Sequence, residues 1–351
     1  MGAGTESSIT TTAATNRPEN LTERPGPEPS ASSLNPLVPR TGSWRSAACN
    51  IHGVAELGFD GQVAVVTGAG GGLGRQYVLG LASRGARVVV NDVGSSVSGE
   101  GSNEGPAEQV ARELQELGGE AIADTHSVAT PEGGEALIKT AMDAWGRVDI
   151  VINNAGILRD KAFHNLTPEL LDGVLDVHLK GAFNVTKPAW VKMREQSYGR
   201  VLMATSNSGV LGNFGQSNYG AAKMGLVGLT RVLAAEGAKY NIKVNAIAPL
   251  ARTRMTENLL GPLADKLSPE LVAPVAIWLV HRDNPVSGEV YSAAGGRVAR
   301  FFIGLTRGYY NPELTAEDVR DNFDTVRDEN GYVVPAGPAD EITQLLEIFG
   351  S

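Results

Sequence analysis

Thr67-Gly68-Ala69-Gly70-Gly71-Gly72-Leu73-Gly74 follows the apolar run Val63-Ala64-Val65-Val66 and opens a stretch that reads as a helix over 72–84. Glycines between a strand and a helix let the chain turn sharply, approach a pyrophosphate closely and pack the helix against the strand. The helix N-terminus then offers unpaired N–H groups and a favourable dipole to the phosphates. Eighteen residues after Gly74, Asp92 ends a second, Val-rich run at 87–91. A carboxylate there can accept both ribose hydroxyls of an adenosine and repels a 2′-phosphate. The pattern predicts a dinucleotide site in which Gly68, Gly72, Leu73, Gly74 and Asp92 bind the cofactor, with NAD favoured over NADP. A glycine-rich turn without a ligand is the plainer alternative.

Outward from this loop, strand and helix signals alternate. Strands are expected at 63–67, 87–91, 120–125, 149–153, 200–205, 242–248 and 289–292. Helices are expected at 72–84, 104–117, 132–144, 169–195 (broken or kinked near Pro188), 219–239 and 269–280. The strands are continuous apolar runs, as parallel strands covered on both faces must be. The expected fold is α/β: a doubly wound parallel sheet of Rossmann type over residues 57–300, in a single domain with a C-terminal helical extension at 301–351. Helical patches at 316–328 and 339–348 mark that extension. The first fifty residues hold fourteen Ser or Thr and six Pro without hydrophobic periodicity. Such composition buries too little apolar area to offset ordering, so residues 1–56 are expected to be a disordered tail. A start of translation near Val54 is the alternative.

The chain has 351 residues, 42% of them hydrophobic, and a formal net charge of −9, which disfavours a nucleic-acid or anionic-membrane surface. Its longest apolar stretch, 272–280, is interrupted by Pro274 and too short to span a bilayer. A single cysteine, Cys49, excludes an intramolecular disulfide and a Cys-based zinc site. The five histidines form no i, i+4 pair, so no metal is expected. Cytosol is the default location, because the terminal Ile348-Phe349-Gly350-Ser351 is not a peroxisomal address.

Tyr219 and Lys223 stand four apart on an expected helix, one turn apart on one face. An ammonium beside a phenol stabilises the phenolate, which would bring Tyr219 down from a pKa of about 10 towards working pH and fit it for general acid–base work on a hydroxyl. Ser206 ends the fifth strand, where parallel sheets place their ligand crevice, and can hydrogen-bond a substrate oxygen. A surface Tyr–Lys pair and a helix-capping serine are the bland alternatives, with Ser208 the better cap candidate.

The glycine loop, Asn153-Asn154-Ala155-Gly156, Ser206 and the Tyr219/Lys223 pair together resemble the short-chain dehydrogenase/reductase superfamily over about residues 57–297. The resemblance implies that Ser206 polarises the substrate oxygen, that Tyr219 transfers the proton, and that Lys223 holds the nicotinamide ribose and tunes Tyr219. It further implies cofactor contacts from Asn154, Ala155, Gly156, Ser127, Val128, Pro249 and Thr253, beside Tyr219 and Lys223 themselves.

Six longer stretches narrow the likeness: 90–94 (VNDVG), 153–160 (NNAGILRD), 177–181 (VHLKG), 198–201 (YGRV), 212–223 (GNFGQSNYGAAK) and the 248–256 loop. These are similar to the (3R)-hydroxyacyl-CoA dehydrogenase unit of peroxisomal multifunctional enzymes of type 2 and to its stand-alone bacterial relatives, some of which act on steroid side chains. Residues 310–348 share the similarity. The implied reaction is oxidation of a (3R)-hydroxyacyl-CoA, fatty-acyl or steroid side-chain thioester, to the 3-ketoacyl-CoA by an NAD-dependent homodimer.

Three departures from the superfamily pattern stand out. His178 occupies the fourth catalytic position, where Asn is usual. His126 precedes the Ser127-Val128 pair, where an adenine-contacting Asp is expected. Pro249-Leu250 replaces the usual Pro-Gly. Coenzyme A phosphates would need a local basic patch, for which Arg159, Lys161, Arg252 and Arg254 are candidates against the alternative of ordinary solvated charges. Two competing readings remain on the same fold: an NADPH-dependent ketoacyl or ketone reductase, and a catalytically idle NAD-binding scaffold.

Overall fold

A computed structural model describes residues 56–101, 105–253, 256 and 261–350 of the chain. The expected N-terminal tail, apart from Glu56, and the candidate Arg254 lie outside the described residues.

Eight strands form one sheet in the order β3-β2-β1-β4-β5-β6-β7-β8. They are β1 (Val63–Thr67), β2 (Arg87–Asn91), β3 (Glu120–Asp124), β4 (Ile150–Asn153), β5 (Gly199–Ala204), β6 (Ile242–Leu250), β7 (Val290–Ala294) and β8 (Arg297–Phe301). The first seven run parallel, with Val66 opposite Val90 on one side and Ile152 on the other. β8 returns antiparallel, with Val298 opposite Ala293.

Side-chain alternation divides the strands between two layers. Ala64, Val66, Val88, Val90, Ile150, Ile152 and Leu202 pack with Tyr77, Val78 and Leu81 of α1 (Gly72–Ala82), Leu114 of α2 (Gly105–Glu116) and Ile277 of α8 (Ala273–Val280). Val63, Val65, Val89, Val151, Val201, Met203 and Val244 pack with Leu137 of α3 (Pro131–Trp145), Val185 and Met193 of α5 (Gly181–Gln196) and Leu226 of α7 (Ser217–Gly237). Both strand faces are therefore dry, which is why these strands lack a polar face in sequence.

The chain winds β1, β2, β3 outward, then crosses back to place β4 on the other side of β1. A doubly wound sheet opens its ligand crevice at that reversal, beyond the carboxyl ends of the strands. The glycine loop after β1 and the Asn154–Gly156 segment after β4 meet there.

The long helical zone divides differently from expectation. α4 (Pro168–Leu175) and α5 are separated by one π turn at Asp176–Lys180, whereas Pro188 lies inside an unbroken α5. Proline removes the N–H that would have bonded the Asn184 carbonyl. That carbonyl instead lies against α3, 2.3 Å from where a Cβ on Gly134 would stand. β8 and the five-residue α6 (Asn207–Leu211) had no expected counterpart. Beyond β8 lie α9 (Ala316–Asp321), α10 (Phe323–Arg327) and α11 (Pro338–Gly350), none with a buried residue.

Candidate active site

A crevice of about 560 Å³ opens at the reversal point, within the size range of cofactor sites. Gly68, Gly72, Leu73, Asp92, Ser127, Val128, Asn154, Ala155, Gly156 and Thr253, all expected at the cofactor, line it. Gly74 supports it from behind: a Cβ there would stand 2.3 Å from the Gly68 carbonyl oxygen. Gly68 has φ +64 and faces the Ala155 backbone at 2.8 Å from an added Cβ, so no other residue fits without a shift. Gly71 caps α1 without a side chain, and it lines the crevice together with the first residues of the helix. Pro249 sits within β6, opposite Ala293, and does not line the crevice.

Asn154 holds the two halves of the crevice together. Its amide donates to the Thr67 and Gly68 carbonyls at 3.0 and 3.1 Å, while Thr67 Oγ1 accepts from the Asn154 and Ala155 amides at 3.0 Å each. Asn153 points the other way and donates to Thr186 Oγ1 at 2.9 Å, tying β4 to α5. Asp92 accepts from the Gly70 amide at 3.0 Å and the Gly94 amide at 2.7 Å, one per carboxylate oxygen. Each oxygen keeps a lone pair for a further donor. Asp124, at the end of β3, accepts from Asn91 Nδ2, the His126 amide and Thr140 Oγ1 at 2.8–3.0 Å. His126 is the partner of this buried carboxylate, with Nδ1 and oxygen 2.9 Å apart.

Ser206 follows β5 and caps α6, its Oγ accepting from the Ser208 amide at 3.2 Å. The cap is thus Ser206 itself, not Ser208 as expected. The same hydroxyl is close enough to the Tyr219 phenol to favour its ionised form. Lys223 lies one turn further along α7, with Nζ donating to the Ala204 carbonyl at 2.5 Å and 5.5 Å from the Tyr219 ring centroid.

The electrostatics depart from expectation. Burial raises the Tyr219 pKa, Ser206 opposes that, and Asp160 adds to it. Burial pushes Lys223 down to about 7. Burial thus outweighs the i, i+4 spacing: it lowers the amine and holds the phenol up rather than bringing it down.

His178 is brought inward by the π turn. Its ring packs edge-on against Tyr219 at 5.2 Å, and Nε2 meets the Ile157 amide at 3.0 Å and the Ile157 carbonyl at 2.8 Å. Gly156 makes room for it, since a Cβ there would stand 2.3 Å from the ring. Burial and the Lys223 charge both hold His178 well below the usual histidine range, so it stays neutral. Its Nδ1 is buried without a partner among the described residues, and the ring lines a cavity of about 10 Å³ with Lys223, Thr67 and Asn153.

Residues 62–261 match the short chain dehydrogenase family. The chain belongs to that family. It is 49% identical, over 78% of its length and 96% of the relative's, to a short-chain type dehydrogenase/reductase of Mycobacterium tuberculosis. It is 47% identical to peroxisomal multifunctional enzyme type 2 of Mus musculus, covering 84% of this chain and 40% of that one. The solved full-length multifunctional enzyme type 2 of Drosophila melanogaster superposes with a TM-score of 0.71 at 38% identity, over 84% of this chain and half of that one.

Within this short chain dehydrogenase, the candidate coenzyme A contacts divide. Arg159 directs its guanidinium to the Ser98 and Glu169 carbonyls at 2.8 and 3.2 Å. Arg252 pairs with Asp265 at 3.3 Å, and Lys161 is exposed. Asn218, adjacent to Tyr219 and fully buried, escaped sequence reading: its amide nitrogen donates to the Arg159 and Leu170 carbonyls at 2.9 and 3.0 Å, and its oxygen accepts from the Tyr219 amide. A buried Asn beside the key Tyr was the available signal. No group of three potential metal ligands occurs among the described residues, and none of their helices is long and apolar enough to cross a membrane.

Proposed function

We propose that this short chain dehydrogenase oxidises the secondary alcohol of a (3R)-hydroxyacyl-CoA, fatty-acyl or steroid side-chain thioester, to the 3-ketoacyl-CoA with NAD, as a cytoplasmic homodimer. The observation that carries the reading is the Ser206–Tyr219 hydroxyl pair at the end of β5, set beyond a crevice whose ribose end is a carboxylate, Asp92.

The residues fit a dinucleotide. A Cβ at Gly68 or Gly74 would force apart the backbone that shapes the cradle, and the first turn of α1 is free of a side-chain cap. Asp92 would accept from the adenosine ribose and oppose a 2′-phosphate, which favours NAD. Bound NAD supplies the hydride acceptor and a positive charge near the phenol. Ser206 Oγ orients the alcohol oxygen. Tyr219, once deprotonated, takes its proton on Oη. Lys223, one turn along α7 and 5.5 Å from the Tyr219 ring, would hold the nicotinamide ribose. His178 and Asn218 fix the ring and the backbone of Tyr219.

Because burial raises Tyr219, oxidation should accelerate as pH rises above neutrality. The test is NAD reduction with paired (3R)- and (3S)-hydroxyacyl-CoAs, steroid side-chain thioesters included. The (3R) series should turn over and the (3S) series should not. Tyr219→Phe should lower kcat by about 10³-fold while NAD still binds. Full turnover by that variant, or preference for NADP in the wild type, would reject the assignment.

A further inference from the structure

Between β2 and α2 the chain does not take the short path. Residues 93–101 leave Asp92 and fold into a compact strap: the Ser96 amide donates to the Glu100 carbonyl at 2.9 Å, and the Glu100 amide to Ser96 Oγ at 3.1 Å. Ser95, Ser96, Val97, Gly99 and Gly101 form one wall of the 560 Å³ crevice, facing the glycine loop. The strap is fastened to the segment that follows β4. The Leu158 amide donates to the Val97 carbonyl at 2.9 Å, and Arg159 Nε to the Ser98 carbonyl at 2.8 Å. Arg159 reaches from there to the Glu169 carbonyl, and Gly173 on α4 leaves space for its guanidinium, which a Cβ would meet at 2.4 Å. Gly99 combines φ +83 with an approach to Ile157 that would leave an added Cβ 2.9 Å away.

We infer that Arg159 is a positioning residue for the cofactor: it locks the strap as the outer wall of the dinucleotide crevice and thereby sets affinity for the adenosine half of NAD. The inference rests on the dinucleotide reading of that crevice. A wall held in place before binding spares the cofactor the cost of ordering it, and release of the lock shifts that cost to the binding step. The lock acts through the Arg159 side chain alone. The Arg159 carbonyl, which Asn218 uses to hold the start of the Tyr219 helix, is left in place by substitution. Loss of the guanidinium should therefore weaken cofactor binding without disturbing the phenol. This also separates the lock from the other use of an arginine at this place, a contact to substrate phosphates.

The experiment compares the full-length wild type, Arg159→Gln and Gly99→Ala by calorimetric titration with NAD and with ADP-ribose, by hydrogen exchange of amides 95–100, and by steady-state kinetics. Gly99→Ala strikes the same strap from its other side, so it stands if Arg159→Gln fails to fold. Both variants should show faster exchange in the strap and a rise in Kd of about tenfold for NAD and ADP-ribose alike. KM for NAD should follow Kd, and kcat at saturating NAD should hold. Unchanged Kd in folded variants, or a rise confined to KM for the acyl-CoA, would overturn the lock while leaving the dinucleotide site intact. A wild type that binds neither NAD nor ADP-ribose would instead overturn the reading of the crevice itself, and the lock with it.

Discussion

Lys223 holds an amine that the fold has stripped of water. Its folded pKa of about 7 lies below the unfolded value of 10.5. Between these values the unfolded chain binds more protons than the native one, so stability rises with pH across that window and is lowest below it. At pH 7 the burden is about 4 kcal/mol by linkage, a cost the fold carries for a functional group. Lys223→Met removes the titration but strands the Ala204 carbonyl that Nζ serves, which takes back roughly 1–3 kcal/mol. The variant should be at least as stable as wild type at pH 7 in urea unfolding. Its midpoint should stay level between pH 7 and 9.5, where that of the wild type climbs. A wild-type midpoint that falls over this range would contradict the burial argument. Tyr219 and Tyr77, both raised, begin to titrate only at higher pH and leave the window clear.

At the scale of elements, the parallel strands were legible because each is apolar on both faces, and the helices because glycines and caps punctuate them. The glycine loop and Asp92 could be placed for a related reason: their chemistry is local to one strand–turn–helix unit. What escaped depends on contacts far apart in the chain. β8, with Arg297, Val298 and Arg300 among its five residues, is an edge strand whose pattern reads as loop until β7 is beside it. The π turn that brings His178 inward is set by Ile157 and Gly156, some twenty residues away. For Tyr219, spacing reveals the nearby amine but not the burial that raises the phenol and lowers the amine. Pro188 reads as a break or a kink because its lost hydrogen bond is visible in sequence, while the accommodation is not. The freed Asn184 carbonyl packs against α3 at a position only glycine tolerates. Gly134→Ala would force that carbonyl and α5 to shift, and should cost about 1–3 kcal/mol in urea unfolding. A neutral result would mean that the α3–α5 contact is looser than its geometry.

On the scale of the whole molecule, apolar exposure is unevenly distributed. Phe302, Ile303, Tyr310, Leu314, Phe323, Tyr332, Val333, Val334, Ile342, Leu345, Leu346 and Phe349 are all exposed large hydrophobics that follow β8. Among the described residues, few polar ties join the segment to the sheet domain. Arg231 of α7 donates to the Pro335 carbonyl at 3.0 Å, whereas Thr306 to the Val326 carbonyl at 2.9 Å and the Leu305–Val333 bridge hold the segment to itself. Phe302 stacks on Tyr332 and Tyr310 packs against Phe349, and clustered exposed apolar side chains mark interaction surfaces. The net charge of −9 does nothing to cover that surface. A symmetric pairing of this segment with its copy would cover it by the same patch on both subunits. Light scattering behind size exclusion should accordingly give twice the chain mass or a higher multiple at micromolar concentration. Leu346→Glu, whose side chain is 66% exposed and whose loss leaves the core untouched, should shift the protein towards monomer without lowering its melting temperature in the dilute limit. A wild type that elutes as a monomer at every concentration would show that the apolar surface serves something other than self-association.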